Sequence, residues 1–260
     1  CEFCMQFIKK DEMEATLTPK EQLLIKELQP GSVIDIRTIE DLSKRKGLAD
    51  RQGAIRIVRS LALKKVLYRI KRGIFYLPSN GTFDPYIIAP YLFNGYISFE
   101  SALFLYGYAQ THSEKIFTAI EGNRSKEKSI YGYTFSGIPM GGFAFGFTFW
   151  KGYRIASKAK ALFDCAYKIW LISDISTLLR LIASFEPSDY NELLKYLAIT
   201  KNTLLKERVG LLLEKARADE SVLEKVESML GKRIVGRLLP NREVKGILSK
   251  RWGIYDNSNR

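Results

Sequence analysis

A set of polar side chains between positions 51 and 65 has the types and the spacing needed to contact a nucleic acid. At 100° per residue, one face of a helix through this stretch is formed by Gln52, Gly53, Arg56 and Ser60, with Arg59 and Lys64 beside it. A planar amide and guanidinium groups are the side chains that hydrogen-bond to base edges and phosphates in a DNA major groove. The pattern predicts a face that reads DNA, and a solvated basic helix is the alternative.

The opposite face of this predicted helix is apolar. It is formed by Ile55, Val58, Leu61 and Ala62, with Ala54 and Lys65 at its edge. Asp50 precedes the helix, and its carboxylate can accept hydrogen bonds from the free amides of the first turn. We therefore expect the helix to begin after Asp50 and to pack its apolar stripe against neighbouring helices.

A helix is also predicted near the beginning of the chain. Thr18, Pro19 and Glu21 indicate its start, because Thr is a common N-cap, Pro suits the first turn and Glu closes a capping box. The helix is expected to stop at Pro30. Residues 32–37 then follow as a short strand or extended turn.

A second helix is predicted between this strand and the basic helix. Thr38 and Asp41 form a weaker capping box for it, and it is expected to end near Gly47. After the basic helix come two strands, joined by a turn at Lys71 and Arg72. This order of elements predicts a winged helix-turn-helix, which is a reader of duplex DNA.

Positive charge is concentrated in the same region. Residues 37–73 contain 12 Lys or Arg and 3 Asp or Glu, so this segment carries +9 of the chain's net +13. A DNA backbone favours clustered cations, because their binding releases condensed counterions. Residues 232–251 form a second basic segment, with 7 Lys or Arg and 1 acidic residue. Additional phosphate contacts and a solvated surface are both open interpretations of that segment.

Length and composition indicate a folded protein and exclude several classes. With 260 residues, 46% apolar and 27% charged, the chain can form one large or two modest domains with a sizeable core. A pI near 9.5 favours a polyanionic partner without choosing among DNA, RNA and a membrane surface. No apolar run approaches the ~18 residues of a membrane span, and the first residues are too acidic for a secretory signal, so no membrane partner is expected.

The cysteines predict neither a disulfide framework nor a metal site. Cys1 and Cys4 form a C-x-x-C pair, but no second pair follows, and a four-ligand zinc site would need the distant Cys165 and His112. Three cysteines without a disulfide pattern fit a reducing cytoplasm, where we expect the protein to be located. No metal and no cofactor is predicted.

The sequence contains no convincing catalytic constellation. His112 is the single histidine, and nothing in the sequence places a nucleophile beside it. Glu243 and Lys245 match half of a nuclease motif but lack an acidic partner upstream, which favours a helix surface. The glycines between 137 and 146 suggest a phosphate loop, but no Gly-Lys-Ser/Thr follows, so turns and bulges are favoured. The chain is therefore predicted not to be an enzyme.

The remainder of the chain is predicted as a larger domain. A turn-rich break at 78–81 marks the boundary. Helices are expected within 84–107, with Ser98 as an N-cap, then strands of an antiparallel sheet within 115–155, and helices again from Ser157. The predicted fold is α+β, with a tail at 1–17, a winged helix-turn-helix at 18–80 and a larger C-terminal α/β domain at 81–260.

The order of six short motifs resembles one known family. The motifs are RGIFYL (72–77), DPYIIA (84–89), GYISFESALFLYG (95–107), ASKAKALFD (156–164), RVGLLLE (208–214) and RWGIYDN (251–257). In this order the chain is similar, over residues 18–257, to the AbiEi-type antitoxins of type IV toxin–antitoxin systems and to their transcriptional-regulator relatives.

The resemblance implies a function and a partner. In that family the N-terminal winged helix binds operator DNA, a larger C-terminal domain has the antitoxin role, and the partner gene encodes a nucleotidyltransferase-like toxin that forms no stable complex with the antitoxin. We therefore expect a cytoplasmic DNA-binding repressor of its own operon. The alternatives are a stand-alone transcription factor whose C-terminal domain senses a ligand or a partner, and a nucleic-acid enzyme that uses Glu243 and Lys245.

The expected DNA contacts fall into two groups. Gln52 and Arg56 are predicted to read base edges. Phosphate contacts are assigned to Lys44, Arg45, Lys46, Lys71 and Arg72. The other predicted DNA-binding side chains, on or beside the basic helix, are Arg51, Arg59, Ser60 and Lys64.

Overall fold

The chain divides into two compact units, Cys1–Asp84 and Pro85–Arg260. The structure is a computed structural model that describes residues 17–79, 81–110, 114–232, 235–242 and 246–258. Both units mix helices with strands, so the predicted α+β class is confirmed. The division lies close to the boundary predicted at residue 80. In the described segments, no helix combines the length and the apolar composition needed to cross a bilayer.

Within its described residues, the N-terminal unit packs three helices and a three-stranded sheet around one core. In chain order its elements are α1 (Pro19–Glu27), β1 (Ser32–Asp35), α2 (Ile36–Arg45), α3 (Arg51–Leu63), β2 (Tyr68–Lys71) and β3 (Ile74–Leu77). The strands pair in the order β1-β3-β2, and both pairs are antiparallel. The core draws apolar side chains from the helices and the sheet, including Leu24, Ile39, Val58, Leu61 and Phe75.

Helices α1 and α3 begin where the sequence predicts. The Thr18 hydroxyl accepts a hydrogen bond from the amide of Glu21 at 3.4 Å, and the Glu21 carboxylate accepts from the amide of Thr18 at 2.7 Å. This capping box satisfies amides that have no partner within the helix. At α3, the Asp50 carboxylate accepts from the amide of Gly53 at 2.8 Å. Both predicted starts are confirmed.

Helix α2 begins earlier than predicted. The capping box of Thr38 and Asp41 is wrong, because Asp35 is the N-cap and accepts from the amide of Arg37 at 2.8 Å. Asp35 is also the last residue of β1, where it pairs with Ile74. The strand therefore passes directly into the helix, and Thr38 lies within the first turn.

The C-terminal unit has seven α-helices and nine strands among its described residues. In chain order they are α4 (Pro85–Phe93), β4 (Tyr96–Ile97), α5 (Phe99–Leu105), β5 (Lys115–Ile120), β6 (Lys126–Ile130), β7 (Tyr133–Pro139), β8 (Phe147–Trp150), β9 (Tyr153–Ala156), α6 (Lys158–Tyr167), α7 (Ile175–Ala183), α8 (Pro187–Ile199), α9 (Thr203–Lys215), α10 (Glu220–Ser228), β10 (Gly236–Arg237), β11 (Ile247–Ser249) and β12 (Ile254–Asp256). Strands β10, β12 and β11 form a small sheet near the end of the chain.

The main sheet of this unit is mixed, with the strand order β6-β7-β5-β4-β9-β8. The pairs β5–β7 and β4–β9 are parallel, so the prediction of an antiparallel sheet is wrong for these pairs. The other neighbours pair antiparallel. Alternating apolar residues predict that strands form, but they do not show which strands become neighbours. Gly137 lies within β7, whereas Gly141 and Gly146 adopt positive φ between β7 and β8, as turn residues do.

An ion pair lies in the core of the C-terminal unit. Lys160 and Asp164 are one turn apart on α6, neither side chain has exposed surface, and the ammonium donates to the carboxylate. The other Asp164 oxygen accepts from the hydroxyl groups of Tyr96 at 3.0 Å and Ser98 at 2.7 Å. Ser98 is the N-cap residue of α5, as predicted. Its hydroxyl donates to Asp164 and makes no capping hydrogen bond to the helix. Burial raises the pKa of Asp164 and lowers that of Lys160, and the pairing opposes both changes.

Trp252 packs against α9 at a glycine. A Cβ atom at Gly210 would lie 2.2 Å from the Trp252 ring, so the indole can approach the helix this closely only where the residue is glycine. The indole nitrogen of Trp252 donates to the Glu214 carboxylate at 3.0 Å. This contact attaches the segment before β12 to the core.

Several predicted features lie outside the described residues. They are the tail at 1–16, with Cys1 and Cys4, and the side chains of His112, Glu243 and Lys245. The third cysteine, Cys165, is a buried free thiol on α6. In the part of the chain that is described, no three His, Cys, Asp or Glu side chains are grouped so that they could hold a metal ion.

Candidate nucleic-acid interface

The apolar stripe of α3 is narrower than the sequence predicts. Ala54, Val58 and Leu61 are buried, whereas the predicted core residues Ile55 and Ala62 are only half-buried. The centre of the buried face therefore lies toward Ala54, which the prediction placed at the edge. The exposed face of α3 is therefore shifted around the helix axis in the same sense, relative to the face that the sequence predicts.

Four exposed side chains form the outer face of α3, and they are Gln52, Arg56, Arg59 and Leu63. Among the described residues, Arg56 and Arg59 have no ion pair and no side-chain hydrogen bond. Guanidinium groups without an internal partner keep all their donors available for base edges or phosphates. Leu63, for which the sequence predicts no role, is 86% exposed.

Ser60 and Lys64 contact α1 rather than belonging to this outer face. The Lys64 ammonium donates to the Glu21 carboxylate at 2.6 Å, and the Ser60 hydroxyl donates to the same carboxylate. Burial alone would raise the pKa of Glu21, but hydrogen bonds from Lys64, Ser60 and Thr18 hold it at about 2. Two predicted DNA-binding residues thus have an internal role, since they join α3 to α1.

Two other predicted residues form ion pairs at the surface. The Arg51 side chain lies 3.4 Å from the Glu40 carboxylate, and Lys46 lies 2.9 Å from Glu27. Arg51 is nevertheless 80% exposed. Exposed ion pairs contribute only ~0–1 kcal/mol, so a polyanion can compete for both cations.

The end of α2 and the turn between β2 and β3 also present cations. Lys44, Arg45 and Arg72 are exposed, and they make no ion pair with any residue that the structure describes. Lys71 is half-buried. Gly73 completes the turn with φ +75°, and its carbonyl accepts a 2.7 Å backbone hydrogen bond from the first residue of α2. This bond fixes the hairpin turn to the start of α2.

A groove of about 640 Å³ is lined by α3, the β2–β3 hairpin and the start of α2. Its charged lining residues are Arg51, Arg59, Arg69, Arg72 and Glu40, and the remainder of the lining is mostly apolar. The structure therefore brings three predicted DNA-binding arginines to one groove. Arg69 also lines this groove. The sequence did not predict its role, because a single arginine in a strand carries no distinctive pattern.

Comparison with known proteins identifies a fold but no family. No protein-family model and no curated protein sequence matches this chain. The crystal structure of the RV2827C protein from Mycobacterium tuberculosis is similar, with a TM-score of 0.63 over 92% of this chain and 89% of that chain. The two sequences are 14% identical. At this identity the similarity establishes a shared fold alone.

Proposed function

We propose that this protein binds double-stranded DNA through its N-terminal unit, which we interpret as a winged helix-turn-helix. In this interpretation α2 and α3 form the helix-turn-helix, and α3 is the recognition helix that enters the major groove. The β2–β3 hairpin is the wing. The order of the elements and the pairing order β1-β3-β2 support the interpretation.

The observation that carries the proposal is the outer face of α3. Arg56 and Arg59 have no internal partner among the described residues, and they lie on a face that none of the described residues of the N-terminal unit buries. Arginine can bind guanine through two hydrogen bonds, and clustered cations also gain affinity from counterion release. The groove beside this face extends the cationic surface from α3 to the hairpin.

The side chains divide into three roles under this proposal. Gln52 and Arg56 read base edges, and Leu63 contributes an apolar contact of the kind that thymine methyl groups make. The phosphate contacts come from Lys44, Arg45, Lys46, Arg51, Arg59, Arg69, Lys71 and Arg72. Ser60 and Lys64 are excluded, because both contact Glu21.

The proposed biological role is that of an antitoxin which represses its own operon. It rests on the motif resemblance to AbiEi-type antitoxins, and the functional counterpart would be a nucleotidyltransferase-like toxin that forms no stable complex with this protein. A toxin gene of that kind beside the gene for this protein would support the role. A solitary gene would favour a stand-alone transcription factor.

Footprinting of the full-length chain on its own upstream DNA tests the proposal. We expect a protected site, and we expect the variant carrying both Arg56→Ala and Arg59→Ala to bind it at least tenfold more weakly, since the base contact of Arg56 is worth ~1–3 kcal/mol and Arg59 adds a phosphate contact. The matched control is Lys26→Ala, which removes an exposed cation from α1. Absence of duplex binding at low salt, or an equal loss in the control, would contradict the proposal.

A further inference from the structure

The C-terminal unit has an open pocket of about 570 Å³ at the beginning of α9. This volume lies within the range of ~300–1,000 Å³ that is usual for small-molecule sites. Its polar and aromatic lining residues are Tyr167, Lys168, Trp170, Asn202, Arg208 and Asn241. None of the lining residues described is acidic, and two of them, Lys168 and Arg208, are cations.

Arg208 is the innermost cation of this pocket. The residue is only 8% exposed, and its Nε donates to the backbone carbonyl of Arg237 at 3.2 Å. In the described part of the chain, this is the one hydrogen bond of the guanidinium, and no carboxylate pairs with it. Desolvation lowers the pKa of Arg208. A buried cation without a counterion is costly, and an anion entering the pocket would remove that cost.

The outer wall of the pocket combines a cation with aromatic rings. The Lys168 ammonium lies 5.0 Å from the centre of the Tyr167 ring and 5.3 Å from that of Trp170. Trp170 is 49% exposed, which is high for a tryptophan in a folded protein. An exposed indole of this kind offers a face on which a planar heterocycle can stack.

The helix itself favours an anion at the same place. Asn202 is the N-cap of α9, and its side chain accepts from the amide of Leu205 at 3.0 Å. The start of this 13-residue helix carries a partial positive charge that adds to the charge of Arg208. Three independent features, a buried guanidinium, a helix start and an exposed indole, therefore meet in one pocket.

We propose that this pocket binds a nucleoside phosphate. The phosphate lies between Arg208 and Lys168 at the start of α9, and the base stacks on Trp170. Such a ligand is available either as a free nucleotide or as one unit of an unpaired nucleic-acid strand. The site is separate from the outer face of α3, and it stands whether or not that face binds duplex DNA.

Isothermal titration of the full-length chain tests this proposal. The probes are AMP, GMP, CMP, adenosine, inorganic phosphate and a single-stranded oligoadenylate without duplex. We expect at least one nucleotide to bind tenfold or more tightly than adenosine or inorganic phosphate, because it uses both the cations and the indole. Binding of the single nucleotides identifies a free ligand, whereas saturable binding of the oligonucleotide alone identifies a strand.

The variants decide where the ligand binds. Lys168→Ala and Trp170→Ala should each weaken binding at least fivefold, and Arg208→Gln should abolish it. The control Lys195→Ala removes an exposed cation elsewhere in the same unit and should change affinity less than twofold. If Arg208→Gln does not fold, the two variants at the pocket rim still decide the result.

Three results would overturn the proposal. One is the absence of saturable binding by any nucleotide or oligonucleotide. Another is inorganic phosphate binding as tightly as the nucleotides, which leaves no role for the indole. The third is binding that survives both rim variants. Loss of duplex binding in the variant with Arg56→Ala and Arg59→Ala, with nucleotide affinity unchanged, would show that the two sites are independent.

Discussion

The carboxylate of Glu21 accepts a 2.6 Å hydrogen bond from the ammonium group of Lys64, and this contact joins the first and third helices of the N-terminal unit. Glu21 also closes the capping box of α1, so the same side chain begins one helix and anchors another. Both contacts favour the ionised carboxylate, because the hydrogen bonds from Lys64 and Thr18 lower its pKa. The packing of α3, and with it the direction of its outer face, therefore depends on the charge of one buried glutamate.

Replacing Glu21 by Gln should destabilise the N-terminal unit in a pH-dependent way. The pKa of Glu21 is lowered from 4.5 to about 2, so its contribution is complete above pH 4.5 and is lost as the pH falls through about 2. We expect Glu21→Gln to reduce the free energy of unfolding by ~2–3 kcal/mol at pH 7, with the difference shrinking toward pH 2. Hydrogen exchange of amides in α1 and α3, followed as a function of pH, measures this difference in the free energy of unfolding. A difference that stays constant between pH 7 and pH 2 would contradict the assignment.

Removing one partner of the Lys160–Asp164 pair should cost more than replacing both. Asp164→Asn leaves a buried ammonium without a counterion, and we expect the free energy of unfolding to fall by ~3–5 kcal/mol. The double replacement by Met at 160 and Leu at 164 should cost less, because no charge is then left buried. Denaturant unfolding of the three proteins provides the comparison. A loss of less than ~1 kcal/mol in Asp164→Asn would contradict the expectation that the unpaired ammonium destabilises the fold.

The proposed base contacts and phosphate contacts should differ in how their loss depends on sequence and salt. Arg56→Ala is expected to cost ~1–3 kcal/mol on the cognate site and to relax preference at one position. Lys71→Ala should weaken binding to all sequences alike and reduce the salt slope by about one unit. Titrations of cognate and random duplexes at several salt concentrations measure both effects. Equal losses on the two duplexes for Arg56→Ala would exclude a base-reading role.

Gly210→Ala should destabilise the C-terminal unit although it lies in a helix, where alanine is normally preferred. The added Cβ would meet the Trp252 ring at 2.2 Å, so either α9 or the indole must move. We expect a loss of ~1–3 kcal/mol, as is usual when a packed core is overfilled. Gly231→Ala is the control, because its Cβ would meet nothing closer than 3.6 Å and should change stability by less than ~0.5 kcal/mol. Thermal unfolding measures the stability of both variants, and an equal loss in the two would contradict the proposed clash with Trp252.

The local elements of the N-terminal unit could largely be predicted from sequence. The starts of α1 and α3 were predictable because their signals, at Thr18 with Glu21 and at Asp50, are contained within four residues. The start of α2 was not, because Asp35 acts as its cap only when β1 ends there and pairs with β3. A tertiary pairing thus decided which of two capping candidates was used.

The features that depend on long-range packing could not be predicted. Lys160 and Asp164 have the spacing of an exposed helical ion pair, and nothing local shows that both are buried. The parallel strand pairs of the main sheet likewise arise from connections that the strand patterns do not encode. In the candidate interface, the residue types of α3 were identified, but the contacts of Ser60 and Lys64 with Glu21 became visible only with α1 in place. The DNA-binding role of the remaining residues stays a prediction.

Among the described residues, each unit encloses its own apolar core. Calorimetry of the intact chain should therefore resolve two endotherms, since cooperative melting follows the core and not the length of the chain. A ligand raises the melting temperature of the unit that binds it. Duplex DNA and a nucleotide would then shift different endotherms of the same trace.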